Sequence, residues 1–261
     1  MDGMTSIPTL PLRDGGAIPV VGFGTWLLEG AGAYQPVRDA LDIGYRHIDT
    51  ATGYSNEQHV GRAIADSGVP REDLFVTTKL PPDHAGREAQ TIDESLRYLG
   101  LDYVDLWLIH WPVNGTAAPQ VWQQLIAARE AGKARAIGVS NYSAEFIDEL
   151  VEATGVTPAV NQIPWSPRDH DEKRVAHARD NNIVLEGYSG LKRSNLTDPT
   201  LVAIAEAHGV TVPQVIIRWH VDHDIVVIPK SANRDRIAAN FDVFGFALTK
   251  DEVARIDALA G

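Results

Sequence analysis

Eight short apolar runs, rich in valine and isoleucine, recur along the chain at intervals of about 30 residues. They are Val20–Thr25, Tyr45–Thr50, Leu74–Leu80, Val104–His110, Ala134–Ser140, Pro158–Ile163, Ile183–Ser189 and Ile225–Ser231. Their apolarity is near-continuous, not alternating. That is the pattern of parallel strands covered on both faces. Parallel neighbours need a long crossover between them, so the intervening segments decide the fold.

Those segments have helical periodicity. In "TIDESLRYLG", Ile92, Leu96 and Leu99 share one face and Gly100 supplies a stop. In "SAEFIDELVEATG", Ser143 reads as an N-cap before the stripe Phe146, Ile147, Leu150 and Val151. Ser55 with Gln58, and Thr249 with Glu252, have capping-box spacing. Eight strand–helix units predict βαβ crossovers and a (β/α)8 TIM barrel in one domain spanning residues 1–261. A doubly wound sheet is the competing arrangement. Two features lie outside the repeat. "LPLRDGGAIPV" predicts an N-terminal β-hairpin placed to plug the barrel bottom, and "LTKDEVARIDAL" predicts an extra C-terminal helix.

Composition narrows the function classes. The formal net charge of −12 argues against nucleic acid and anionic membranes as partners. A chain without cysteine has no disulfide, no Cys-ligated zinc and no thiol catalysis, and a cytoplasmic location is compatible with that. "MDGMTSIPTLPL" lacks a basic segment followed by an apolar core, so no signal peptide is expected.

In such a barrel the C-terminal strand ends converge. The polar residues there are Asp49 with Tyr54 in the next loop, Lys79, His110, Ser140-Asn141, Asn161-Gln162, Tyr188 and Lys230-Ser231. Singly, each has a bland reading: a turn-forming Asp, a packed Tyr, a core His. Together they point to chemistry. No Ser stands in a nucleophile elbow, and no His-x-x-x-His or carboxylate–His spacing announces a metal. Asp, Lys, Tyr and His suit proton transfer from a phenol. A free phenol titrates near pH 10, too high for neutral pH, and a buried ammonium beside it would lower that value. The ammonium needs a carboxylate to stay charged, and Asp49 is the candidate. His110 would polarise a carbonyl oxygen. Such an acid needs a hydride donor from elsewhere.

The motifs "GFGTW", "GYRHIDTATGYSNEQHVGRAI", "VTTKL", "DLWLIHWP", "IGVSNY", "VNQIPWSP" and "IPKS" resemble those of the aldo-keto reductases, closest to bacterial members such as the 2,5-diketo-gluconate reductases. The resemblance covers nearly the whole chain. It implies a (β/α)8 barrel, NADPH/NADP+ as cofactor, a small-molecule carbonyl substrate and a monomer. It implies the tetrad Asp49, Tyr54, Lys79 and His110, with Tyr54 as general acid. Ser140, Asn141 and Gln162 would hold the nicotinamide carboxamide, and Tyr188 would stack on its ring. Further cofactor contacts by resemblance are Gly24, Thr25, Asp49, Ser189, Leu191, Lys230, Ser231, Ala232, Asn233, Arg236 and Asn240. The cluster Lys230, Arg234 and Arg236, next to a helix start, suits a phosphate. By resemblance Lys230, Ser231 and Arg236 take the 2′-phosphate, which favours NADPH over NADH.

This sequence departs from the family pattern at Ala239, where many relatives carry Glu or Gln. It also departs in "SGLKR", with Lys192 and Arg193 in the loop that covers the pyrophosphate. The chain ends at Gly261, soon after the final helix, and an open, shallow pocket is the expectation. Its walls would be Trp26, Tyr54, His110, Trp111 and Trp165, favouring apolar or planar substrates. An NADPH-binding, redox-sensing subunit with little turnover is the alternative. A C=C reductase would carry a carboxylic acid in place of His110. An unrelated barrel hydrolase or isomerase is the residual reading.

Overall fold

The structure is a computed structural model and describes residues 7–260. Residues 1–6, part of the segment read for a signal sequence, and Gly261 lie outside the described residues. The chain opens on an antiparallel hairpin of β1 (Thr9–Pro11) and β2 (Ala17–Pro19). Its turn passes through Gly15 and Gly16 at φ 94° and 76°, a region costly for residues with a Cβ.

Eight parallel strands follow in sequence order around one sheet. They are β3 (Phe23–Gly24), β4 (His47–Asp49), β5 (Phe75–Leu80), β6 (Val104–Ile109), β7 (Ala134–Ser140), β8 (Val160–Pro164), β9 (Val184–Tyr188) and β10 (Val226–Val227). The first and last meet. Val21 bridges Val227 in parallel, and Gly22 N donates to Val227 O at 2.9 Å. The result is the (β/α)8 barrel expected from the repeat. β10 is shorter than the run Ile225–Ser231, because Pro229 has no N–H for a ladder; its carbonyl instead accepts from Gly24 N at 3.3 Å.

Helices cover the outside. They are α1 (Tyr34–Ile43), α2 (Glu57–Ser67), α3 (Glu88–Leu99), α4 (Pro119–Glu130), α5 (Ala144–Thr154) and α6 (Glu172–Asp180). After β9 come the short α7 (Gly190–Arg193), then α8 (Pro199–His208) and α9 (Val212–Asp222), which meet at 90°. α10 (Arg234–Phe241) follows β10, and α11 (Lys250–Asp257) is the predicted final helix. Among the described residues no single helix is long and apolar enough to cross a membrane.

Local signals explain most of these ends. Ile92, Leu96 and Leu99 of α3 are buried, and Gly100 stops the helix at φ 66°. Ser143 caps α5 through Phe146 N, and Thr249 with Glu252 forms a complete capping box on α11. The Ser55–Gln58 box does not form. Ser55 sits in the left-handed region at φ 54°, and α2 starts at Glu57 after Asn56. Asn56 gives its side chain to tertiary bonds: Nδ2 donates to Thr25 O at 3.0 Å and Leu28 O at 2.9 Å, and Oδ1 accepts from Thr50 Oγ1 at 2.8 Å. Joining two barrel loops wins over a local cap.

Two apolar regions result. The larger lies between strands and helices and includes Val37, Ile64, Trp107, Trp122, Ile137 and Ile217. The smaller fills the barrel floor, where Leu12 and Ile18 from the hairpin region meet Phe75, Leu106, Leu108, Ala136, Val160 and Val226. The hairpin therefore plugs the bottom and leaves the C-terminal mouth as the open end.

Candidate active site

The strand register brings the polar strand ends together. Asp49 closes β4 opposite Thr77 of β5, and Lys79 lies two residues further along β5, on the same face. The Lys79 side chain is fully buried. Its Nζ donates to Asp49 Oδ1 at 2.7 Å, Asp49 Oδ2 at 2.8 Å and Thr50 O at 2.8 Å. Tyr54 ends a short 3-10 turn, Thr52–Tyr54, and its hydroxyl lies 3.4 Å from Lys79 Nζ. The His110 ring packs edge-on to the Tyr54 ring, centroids 5.6 Å apart. Gln162 Nε2 donates to Asp49 Oδ2 at 2.8 Å, so the carboxylate is held from two sides.

Burial sets the proton affinities. Burial alone would discharge Lys79, but the Asp49 carboxylate, with Tyr54 and Glu186 adding to it, offsets that, and the ammonium's pKa lies above its usual value. Burial also pulls His110 down to about 3, with Lys79 adding to the effect, so the imidazole is neutral at pH 7. The expected net lowering of Tyr54 is not found. Burial raises the phenol's pKa, and the Lys79 charge offsets only part of the rise. Tyr54 is a protonated phenol with an ammonium at its oxygen.

Three of the four side chains open onto a cavity of about 600 Å³, and Lys79 is buried beside it. Asp49, Tyr54 and His110 line it with Gly24, Trp26, Trp111, Ser140, Asn141, Gln162, Tyr188, Ser189, Leu191, Lys192 and Lys230. The model of the aldo/keto reductase family matches residues 20–260. The chain belongs to this family. An aldo-keto reductase of Mycolicibacterium smegmatis is 46% identical over 97% of this chain and 93% of its own length. The 2,5-diketo-D-gluconic acid reductase B of a Corynebacterium species is 44% identical over 99% of this chain and 94% of its own. Among solved structures, an aldo/keto reductase from Brucella melitensis superposes with a TM-score of 0.93 at 41% identity, covering 97% of this chain and 100% of that one. A Bombyx mori aldo-keto reductase, solved in complex with NADP, superposes with a TM-score of 0.88 at 38% identity, covering 97% and 92%.

In this reductase the amide-bearing wall is already organised. Ser140 Oγ donates to Gln162 O at 2.9 Å, and Asn141 Nδ2 donates to His110 O at 3.0 Å. Asn141 is left-handed at φ 65°, and its Oδ1 accepts the Tyr188 hydroxyl at 2.6 Å, which fixes that half-buried ring. Thr25 is buried beneath the wall, donating through Oγ1 to Asp49 O at 3.0 Å, and does not line the cavity.

The rim lies on the loop after β10 and on α10. Asn233 caps α10 through Arg236 N at 3.0 Å, and Arg236 Nε donates to Ser231 Oγ at 3.2 Å. Ala232 belongs to this turn, and Asn240 is buried on the next turns of α10. These residues continue outward from Lys230 but do not line the cavity. Arg234 is committed elsewhere, donating to Asp39 Oδ1 at 2.6 Å and lying 3.7 Å from Asp42. Lys192 and Arg193 reach opposite ways. Lys192 Nζ sits 5.0 Å from the centre of the Trp26 ring at the mouth, whereas Arg193 pairs with Asp169.

The substrate side is open, with Trp26 and Trp111 at 43% and 48% exposure. Trp165 is not a wall. It is fully buried and stacks on Trp219, centroids 6.3 Å apart. Two polar residues under the tetrad escaped the sequence reading. Glu186 of β9 and His47 of β4 are both fully buried, His47 Nε2 3.6 Å from Glu186 Oε1. A signal was present for Glu186, a lone carboxylate inside the largely apolar run "IVLEGYS", whereas His47 lies between Arg46 and Asp49 in "YRHIDT" and does not stand out.

Proposed function

We propose that this chain reduces aldehydes and ketones with NADPH, Tyr54 acting as the general acid. The observation that carries the reading is the Tyr54 hydroxyl 3.4 Å from a buried, Asp49-paired Lys79 ammonium at the cavity end. An ammonium there stabilises the phenolate left after proton transfer, so it assists the step only as the proton leaves. Neutral His110 offers a ring N–H to the carbonyl oxygen and orients it against Tyr54. Bound in the cleft, NADPH supplies the hydride. The donor set fits that cofactor. Ser140, Asn141 and Gln162 are hydroxyl and amide groups that match a carboxamide, and Tyr188 presents a fixed ring. Lys230, Ser231 and Arg236 match a phosphate at the rim, which is the basis for preferring NADPH to NADH. Gly24 permits the tight wall here, since a Cβ would meet Ile228 O at 2.7 Å.

Trp26 and Trp111 favour planar or apolar carbonyl compounds, and the open mouth admits bulky ones. A cytoplasmic monomer is part of the same reading. The test is Tyr54→Phe, assayed by NADPH consumption over a panel of aldehydes and ketones. Turnover is expected to fall by about 10²–10⁴-fold, with NADPH affinity unchanged. Reduction at the wild-type rate would remove Tyr54 from the role.

A further inference from the structure

Behind the mouth, three side chains from distant parts of the chain face one another. His170 lies in the loop after β8, His223 follows the last residue of α9, and Asp257 ends α11. One donor atom from each lies within 4.8 Å of the other two. We propose that they form a binding site for a divalent transition metal of the zinc class, independent of the catalytic tetrad.

The ring of His170 carries the argument. Its side chain is only 7% exposed, and Nδ1 has no hydrogen-bond partner among the described residues. Nε2 faces Glu172 Oε1 at 3.2 Å, which places the ring proton on Nε2 and leaves the Nδ1 lone pair pointing inward. That lone pair faces Asp257 Oδ1 at 3.8 Å, beyond hydrogen-bond range. The bare Nδ1 and the carboxylate face each other in this half-buried site and repel, and a cation between them reverses the sign. The arrangement also has the supports a metal ligand needs. Glu172 holds the outer nitrogen of His170, and Trp219 Nε1 donates to Asp257 Oδ1 at 2.7 Å, fixing the carboxylate.

His223 Nε2 lies 2.8 Å from the same Asp257 oxygen. Zinc–nitrogen and zinc–oxygen bonds of about 2.0–2.2 Å put tetrahedral ligand atoms roughly 3.3–3.5 Å apart. The observed 2.8 and 3.8 Å separations bracket that spacing, so small side-chain shifts suffice. Two imidazoles and one carboxylate leave a fourth position for water and suit Zn2+, Co2+ or Ni2+ over Mg2+ or Ca2+. The stacked Trp165 and Trp219 rings wall the site. A bound metal would fasten α11 and α9 to the loop whose Asp169 holds Arg193 of α7.

The test is titration of chelator-treated protein with ZnCl2 by calorimetry, alongside thermal unfolding. One Zn2+ per chain is expected to bind and raise the Tm. Zn2+ affinity should weaken by about 100-fold or more in His170→Ala and Asp257→Asn, and the rise in Tm should shrink with it, with activity in chelator unchanged. Asn keeps an oxygen for Trp219, so this variant tests ligation without removing that bond. Co2+ titration of the wild-type chain is expected to give the visible absorption of a tetrahedral nitrogen–oxygen site, a readout that does not depend on the variants folding. Absence of that band, or Zn2+ affinity equal in wild type and His170→Ala, overturns the proposal.

Discussion

The two ends of the barrel use the same eight strands for opposite purposes. At the floor, Leu12 and Ile18 close on Phe75, Leu106, Leu108, Val160 and Val226 in a buried apolar cluster. At the mouth, the same strands end on Asp49, Lys79, Ser140, Asn141 and Gln162, where every buried charge has a partner. The floor lowers the free energy of the fold without doing chemistry. The mouth holds costly buried ions in a geometry that a reaction can use. Stability and function are therefore separable along one axis, and substitutions at each end should show it.

The largest effect expected from such a substitution is at the floor. Ile18 is fully buried in the plug, and Ile18→Ala leaves a cavity that neighbouring strands cannot easily close. A loss of about 2–5 kcal/mol is expected by denaturant titration. At a temperature where the variant is folded, its kcat and NADPH affinity should match the wild type. A drop in turnover of the folded variant would break the separation of the two ends.

The rim offers the converse. Arg236 contacts Ser231 and otherwise reaches outward from α10, so its removal should cost little stability. Arg236→Ala is expected to weaken NADPH by about tenfold to a hundredfold and to spare NADH, the loss of charge-assisted contacts to one phosphate. Equal weakening of both cofactors would take the 2′-phosphate away from this residue.

What was legible in the sequence follows the same axis. The eight strands could be read because both their faces are buried, which leaves a continuous apolar trace. The clustering of Asp49, Tyr54, Lys79 and His110 could be read because polar residues interrupt that trace at its ends. Features that depend on which distant segment arrives were not legible. Arg234 reads as a phosphate ligand until Asp39 and Asp42 of α1 are seen beside it. Trp165 reads as a pocket wall until Trp219 covers it. His170, His223 and Asp257 share no spacing at all, because a loop and two helix ends bring them together.

Between the two ends lies a layer that belongs to neither. His47 and Glu186 are fully buried, and His47 Nδ1 and both Glu186 oxygens lack hydrogen-bond partners among the described residues. Gly22 makes room for this layer, since a Cβ there would run into the His47 ring at Nδ1. Burial, with the Asp49 charge adding to it, pushes the Glu186 carboxyl up to about 8, while burial pulls His47 down to about 3. Both shifts favour the uncharged forms, which would spare the Lys79–Asp49 pair a third buried charge. An unfolded glutamate loses its proton near pH 4.3. Between that pH and about 8, the folded chain binds the extra proton. Its contribution to stability is full below about pH 4.3 and is lost as pH rises through about 8. Glu186→Gln cannot titrate, so the variant should gain on the wild type across that window by at most about 1.4 kcal/mol per pH unit. Denaturant titrations of both proteins from about pH 5 to 9 measure the difference. Parallel curves would mean that Glu186 is ionised throughout and that the middle layer is part of the charged mouth.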